Sequence, residues 1–380
     1  MRKLLMTPGP FQVPQEVLNE MAEPLIHHRT AEYREIFKEV LQGLKVVFRT
    51  QNEVIILTAS GTGAMEAAVV NSLAPSEKAL VVMGGKFGER WGEICKAYGI
   101  AFEPIEVEWG KAVDPKEVER RLTPDVKAVF TTLCETSTGV AHDIEAIGSF
   151  VSRSGALLVV DGISAVGAVP CETDAWGIDL LVVGSQKALM IPPGLAFVAV
   201  SKRAWERIEK VGRRGFYFDL VKSRKAQEKV DSAFTPAISL VIALRKSLRM
   251  IQAEGIEQVW RRHATLARAT RAGLQAMGLT LYSAAPSDSI TAFVSPAGID
   301  ADEIRKRLQA GFGIYIAGGQ ESLKGKIARI GHMGYVSAAD ILMTLSALEC
   351  VLLQMGVRFE PGKGVRAAEE VIAHASADRR

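Results

Sequence analysis

The chain has 380 residues, 48% of them hydrophobic and 23% charged, the balance of a folded globular protein long enough for two lobes. Its 46 basic and 43 acidic residues leave a formal net charge of +3, which makes no electrostatic case for nucleic acid or an anionic membrane surface as partner. Four scattered cysteines (Cys95, Cys134, Cys171, Cys350) form no CxxC pair, so a structural zinc site is not expected, and no residue is assigned as a metal ligand. The opening MRKLLMTPGPFQVP lacks the apolar stretch of a signal peptide, and no run approaches the roughly 18 apolar residues of a membrane span. A cytoplasmic protein is expected.

In chain order, residues 1–19 read as an extended arm, because Pro8, Gly9, Pro10 and Pro14 oppose regular helix. Ile36, Val40 and Leu44 recur at helical spacing between Glu32 and Val47. Short apolar runs then alternate with amphipathic stretches: 54–58, 79–83, 127–132, 156–161, 179–185 and 195–200. Runs that are β-branched, brief and apolar on both faces predict buried strands of a mainly parallel sheet, with helices such as 63–73 and 88–98 as crossovers. Residues 20–255 read as one large α/β domain. The basic, aromatic segment from Val211 to Phe234 breaks the pattern and predicts a surface excursion, toward solvent or a second subunit. A helical stretch over 236–277 reads as a connector. The remainder alternates strands (SITAFVSP, IYIAGG, KIARIGHMG) with helices at 301–310 and 338–356, a smaller α+β domain over 256–380 whose last twenty polar residues are expected to fray.

Three features carry chemistry. Asp161 ends the apolar run ALLVVD, and ligands of open parallel sheets bind outside the carboxyl ends of the strands. Alone, it reads more readily as a helix cap or turn residue. Lys187 follows a second such run, DLLVVGS, and precedes the turn-forming IPPG. A lysine partly buried there has a depressed pKa, and its neutral amine can attack a carbonyl. Alone, it reads as a surface lysine with its head in water. The segment SGTGAMEA after the first strand offers small residues and a helix N-terminus to an anion, or is simply a tight turn. Together the three match what pyridoxal phosphate requires: a phosphate grip, an acid for the pyridinium nitrogen and a Schiff-base lysine.

With TPGPFQVP, GKFGERW, ETSTGV, VVDGISAVGA, GSQKAL, TPAISL and KIARIGHMG, the chain resembles class V aminotransferases of fold type I, close to the alanine–glyoxylate, serine–pyruvate and serine–glyoxylate group. The resemblance spans nearly the whole chain. It implies an α/β large domain and a smaller α+β domain, pyridoxal 5'-phosphate as cofactor, and a homodimer with its active site at the subunit interface. It implies that Gly61, Thr62 and Gly63 hold the phosphate end, Phe87 stacks on the ring, and Thr136 approaches its phenolic oxygen. Asp161 would pair with the ring nitrogen, Gln186 contact the phosphate, Lys187 form the Schiff base, and Thr235 reach a neighbouring subunit's phosphate. Arg329 would grip the substrate carboxylate with paired hydrogen bonds. Trp91 and His332 read as packing.

No cysteine lies between Gly311 and Ile330, which counts against desulfuration. Transamination from a small amino acid, alanine or serine, to a 2-oxo acid such as glyoxylate or pyruvate is the expected activity, by ping-pong exchange. One carboxylate-binding arginine favours small donors, although Arg29, Arg213 and Arg214 stand as candidates for a second. An aspartate-type or aminophosphonate transaminase, a lyase, and a non-catalytic binding subunit remain alternatives. A dinucleotide oxidoreductase does not fit, since SGTGAM is not GxGxxG.

Overall fold

Apolar runs become strands here because both of their faces are covered, the burial that a parallel sheet requires. In the computed structural model, which describes residues 3–212 and 215–377, seven strands form one sheet. They are β1 (Glu53–Leu57), β2 (Lys78–Met83), β3 (Ala101–Glu106), β4 (Val126–Thr132), β5 (Leu157–Asp161), β6 (Leu180–Gly184) and β7 (Ala196–Val200). Their spatial order is β1-β7-β6-β5-β4-β2-β3. β7 runs antiparallel to both neighbours and the other pairs are parallel. Every residue of β5, β6 and β7 is buried. β3 was not expected. Its sequence AFEPIE is polar and half-exposed, and Pro104 is tolerated because β3 lies at the sheet edge.

The first half carries the helices α1 (Ala31–Val47), α2 (Gly61–Ser72) and α3 (Lys86–Ala97). Thr30 caps α1 by accepting from the Tyr33 N–H at 3.2 Å. α2 follows β1 and α3 follows β2, so both helices start at the carboxyl ends of parallel strands.

A three-stranded antiparallel sheet, β8 (Ile290–Val294), β9 (Ala317–Gly318) and β10 (Ile327–Gly331), lies in the second half in the order β8-β10-β9. The expected long connector is two helices, α4 (Ile238–Glu254) and α5 (Ile256–Ala276), because Gly255 takes a φ of +86° between them. They are followed by α6 (Ala338–Gln354) and α7 (Lys363–Ala377).

Three expectations change. The arm is only partly extended: Leu4–Leu5 pairs in parallel with Ile314–Tyr315, and a helix, Gln15–Ala22, starts straight after Pro14. Proline obstructs a helix interior but suits the position just before its first turn. Residues 363–377 form α7 instead of fraying, because the buried Glu349 of α6 accepts from the Gly362 and Gly364 N–H groups at 2.7 Å, and the Ala368 side chain is fully buried; residues 378–380 lie outside the described residues. The aromatic excursion is tied down as well as exposed. Its helix Leu220–Gln227 places the Gln227 amide on the free edge of β1, accepting from Ile56 N–H at 2.7 Å and donating to Val54 O at 2.9 Å. Among the described residues no helix is long and apolar enough to cross a membrane.

Candidate active site

The carboxyl ends of β5 and β6 set the two central groups. Asp161 is the last residue of β5, and Gly162 follows because a Cβ there would lie 2.7 Å from Val166 and 2.8 Å from Leu181. The Asp161 side chain is 4% exposed and accepts one hydrogen bond, from the Ile163 N–H at 2.8 Å. Burial pushes its carboxyl up to about 7, against the smaller opposing pull of that N–H and of the Lys187 and Arg90 charges.

Beyond β6, the Ser185 hydroxyl donates to Pro192 O at 2.8 Å and accepts from Leu195 N–H at 3.2 Å. This closes the 185–195 loop and fixes Lys187 within it. Lys187 is 9% exposed, and its Nζ donates to the Pro8 carbonyl of the arm. Burial lowers its pKa to about 8, the Arg329 charge adding to the effect and Asp161 opposing it. The arm is pressed onto the lysine: a Cβ at Gly9, where φ is +117°, would lie 2.5 Å from Lys187 Cδ. Met6 bonds to Tyr315 O and to the Gly331 N–H, each at 2.8 Å, while the Phe11 N–H reaches Gln186 O. The arm therefore bridges the two sheets over Lys187.

The Gly61–Gly63 turn lies against the same place. Ile163, two residues beyond Asp161, fills the space a side chain at Gly61 would need, 2.5 Å from that Cβ position. A Cβ at Gly184 would meet Gln186 Oε1 at 3.1 Å and Ile163 at 3.3 Å. Gly61, Ile163, Gly184 and Gln186 thus converge. The Ser60 side chain does not cap α2, and Gln186 Oε1 is buried without a protein partner. Gly63 packs on Phe218, and Thr62 is exposed at the mouth.

Phe87 sits in the first turn of α3. Its N–H and that of Gly88 donate to the Glu135 carboxylate at 3.1 and 2.9 Å, and Ser137 donates to it through both N–H and hydroxyl. Burial raises the Glu135 carboxyl in spite of these donors. The neighbouring Thr136 hydroxyl donates to Ser164 Oγ at 2.6 Å, and its carbonyl accepts from Arg329 Nη1 at 2.7 Å. Arg329, on β10 and 6% exposed, also donates to Gly318 O through Nε at 2.9 Å and Nη2 at 2.7 Å. Burial lowers its pKa to about 10, offset in part by Glu135. Three bonds leave two of the five guanidinium N–H groups for a ligand.

Lys187, Asp161, Gly61, Gln186, Thr136 and Arg329 are linked by these contacts. Thr235 is not: it lines a separate cleft with Thr58, Tyr217 and Phe234. Arg29 lies exposed on a loop, and Arg213 and Arg214 fall outside the described residues. Trp91 is buried on Phe130 with its Nε1 donating to Thr131 O, and His332 is buried against Thr291. Sequence reasoning passed over Glu135, Arg90 and the Pro8 carbonyl. Glu135 carried a usable signal, being an acid just beyond β4, the placement that singled out Asp161; a backbone carbonyl carries none.

The aminotransferase class-V family profile matches residues 4–343. The chain belongs to the class V aminotransferase family. Among its relatives, the small subunit of a soluble hydrogenase from Synechococcus sp. (strain PCC 6716) is 46% identical over 98% of this chain and 99% of that protein. The L-aspartate–glyoxylate aminotransferase of Paracoccus denitrificans is 35% identical over 96% and 94% of the two chains. The serine–glyoxylate aminotransferase of Methylorubrum extorquens is 34% identical over 98% and 96%. The crystal structure of ureidoglycine–glyoxylate aminotransferase from Bacillus subtilis superposes with a TM-score of 0.94 over 98% of both chains at 32% identity. This class V aminotransferase thus has the fold type I architecture that its motifs implied.

Proposed function

We propose that this class V aminotransferase is a pyridoxal-phosphate-dependent transaminase, working as a homodimer, that moves an amino group from a small amino acid to glyoxylate or a similar 2-oxo acid. One observation carries this reading: a lysine and a carboxylate, both buried at adjacent strand ends, each with its pKa displaced toward neutrality.

The residues present fit the cofactor. Asp161 is a buried acid with a single hydrogen-bond donor among the described residues, suited to a pyridinium N–H. The uncapped start of α2 and the orphaned Gln186 amide, whose O and N are interchangeable by a flip, suit a phosphate. Bound there, pyridoxal phosphate would supply an aldehyde for the amine and an electron-accepting ring.

This chain's side chains would do the rest. Lys187 Nζ, its pKa lowered to about 8, would be the amine that holds the cofactor's aldehyde carbon and would carry a proton at the substrate Cα. Asp161 would keep the ring nitrogen protonated. Glu135 holds the Phe87 backbone in place, and Arg329 offers its free N–H groups to the substrate carboxylate. The arm over Lys187 keeps water from the amine.

Glyoxylate recurs in the names of three of the similar proteins with different donors, which supports it as acceptor. The assigned site has one carboxylate-binding arginine, which supports a small donor over aspartate. The relative named as a hydrogenase subunit raises a reading without turnover; the intact Lys187–Asp161 pair favours turnover. The test is a half-reaction screen of the cofactor-loaded protein by absorbance. Alanine or serine is expected to change the cofactor spectrum, glyoxylate to reverse it, and Lys187→Ala to lose at least about a hundredfold in rate. A protein that takes up no pyridoxal phosphate would sink the proposal, and response to aspartate alone would overturn the donor.

A further inference from the structure

Arg90 is a guanidinium that the functions described so far leave unused. It lies one turn into α3, half-buried, and it makes no ion pair with a carboxylate among the described residues. Two contacts define its place. Its Cζ stands 4.8 Å from the centroid of the Phe87 ring, and its Nη1 lies 3.4 Å from Thr62 Oγ1 at the mouth of the phosphate turn. Its charge also reaches into the site, where it helps hold the Asp161 carboxyl down.

Charge balance gives this placement a meaning. A phosphate monoester carries about −1.5 to −2 charges at neutral pH. The residues proposed for that end of the cofactor, Gly61, Thr62, Gly63, Gln186 and Thr235, are all neutral. The N-terminus of α2 supplies only about half a positive charge. A dianion set there stays under-compensated by roughly one charge, and among the described residues the cation in contact with the turn is Arg90.

We propose that Arg90 has two tasks: it is the counter-cation of the cofactor's phosphate end, and by stacking on Phe87 it sets the plane of the aromatic ring that faces the cofactor. This rests on the proposed pyridoxal-phosphate function. The two tasks separate chemically. A lysine at position 90 keeps the charge but has no flat face to lay on Phe87, whereas glutamine keeps a planar group without charge.

The experiment compares the cofactor-free parent, Arg90→Gln and Arg90→Lys in titrations with pyridoxal phosphate and with pyridoxal, which has the same ring and aldehyde but no phosphate. Binding is read by visible absorbance and by circular dichroism of the bound chromophore. Arg90→Gln is expected to weaken pyridoxal phosphate by about tenfold or more, to flatten its dependence on salt, and to leave pyridoxal binding as in the parent; that unchanged binding also shows the variant folded. Arg90→Lys is expected to recover most of the phosphate affinity while altering the chromophore's dichroism. Equal weakening of both ligands would reduce Arg90 to a packing residue and overturn the proposal, as would unchanged affinity for pyridoxal phosphate. Uptake of neither ligand by the parent would fail the parent function itself, and this assignment with it.

Discussion

At the scale of single residues, the site is built on groups held away from their ordinary ionisation. Asp161 is the clearest case, with its carboxyl raised from 3.8 to about 7 by burial. The unfolded chain releases that proton near the ordinary value, so the folded protein binds it more tightly. The resulting stability is present in full below about pH 4 and is lost as pH rises through about 7. A shift of that size corresponds to on the order of 4 kcal/mol. Asp161→Asn preserves the shape and removes the titration. Urea unfolding of the cofactor-free proteins is therefore expected to show the variant gaining on the parent between about pH 4 and about pH 7. A stability difference that does not vary with pH would contradict this account. On the proposed function, the same substitution should weaken the cofactor-loaded enzyme, because the cofactor's ring nitrogen would lose its acid.

At the scale of elements, the junction between β2 and α3 governs where Phe87 and Arg90 stand. Gly88 packs so closely on the end of β2 that a Cβ would lie 2.6 Å from Val82 O, a backbone atom that cannot swing aside. Gly88→Ala should push α3 off the sheet, with a loss of about 1–3 kcal/mol in stability and weaker cofactor binding. Gly311, near the end of the helix Ala301–Phe312, has open space around the same position. Gly311→Ala is expected to stabilise by roughly 0.5–1 kcal/mol and to leave cofactor binding alone. Thermal unfolding and a cofactor titration of both variants check the contrast; similar behaviour of the two would show that the close contact at Gly88 does not govern the site. Glu135 acts on the same junction, drawing the first N–H groups of α3 onto a buried carboxylate.

For the whole molecule, the open question is what covers the aromatic excursion. Phe216 is 79% exposed and Tyr217 40%, and Tyr217 stacks on Phe234 at 4.9 Å while Lys222 lies over the rings of Phe216 and Phe234. Thr235 adjoins this cluster and stands apart from Lys187, the arrangement expected if it serves a neighbouring subunit. If the proposed homodimer forms, these rings are expected to be buried by the second copy. Sedimentation equilibrium should give the parent twice the 41.1 kDa chain mass and Phe216→Asp a much weaker association. A parent that stays monomeric at micromolar concentration would remove the dimer and the role of Thr235 together.

Much of this was legible in the chain. Six of the seven strands of the large sheet stood out, since strands covered on both faces are mainly apolar; β3 did not, because this edge strand is polar and holds Pro104. Lys187, Asp161 and the glycine turn stood out by the same logic, as polar or small residues placed where an apolar run stops. The sequence by itself determined the family, the sheet and the types of group at its strand ends. Only the tertiary structure decided what those groups meet. The arm folds back so that the Pro8 carbonyl takes Lys187 from 179 residues away, Glu135 ties the start of α3, and Arg329 spends three hydrogen bonds on the backbone. The reason is physical: local runs report burial through composition, but a backbone carbonyl or a long-range contact leaves no mark on composition, and exists only once the chain has closed around it.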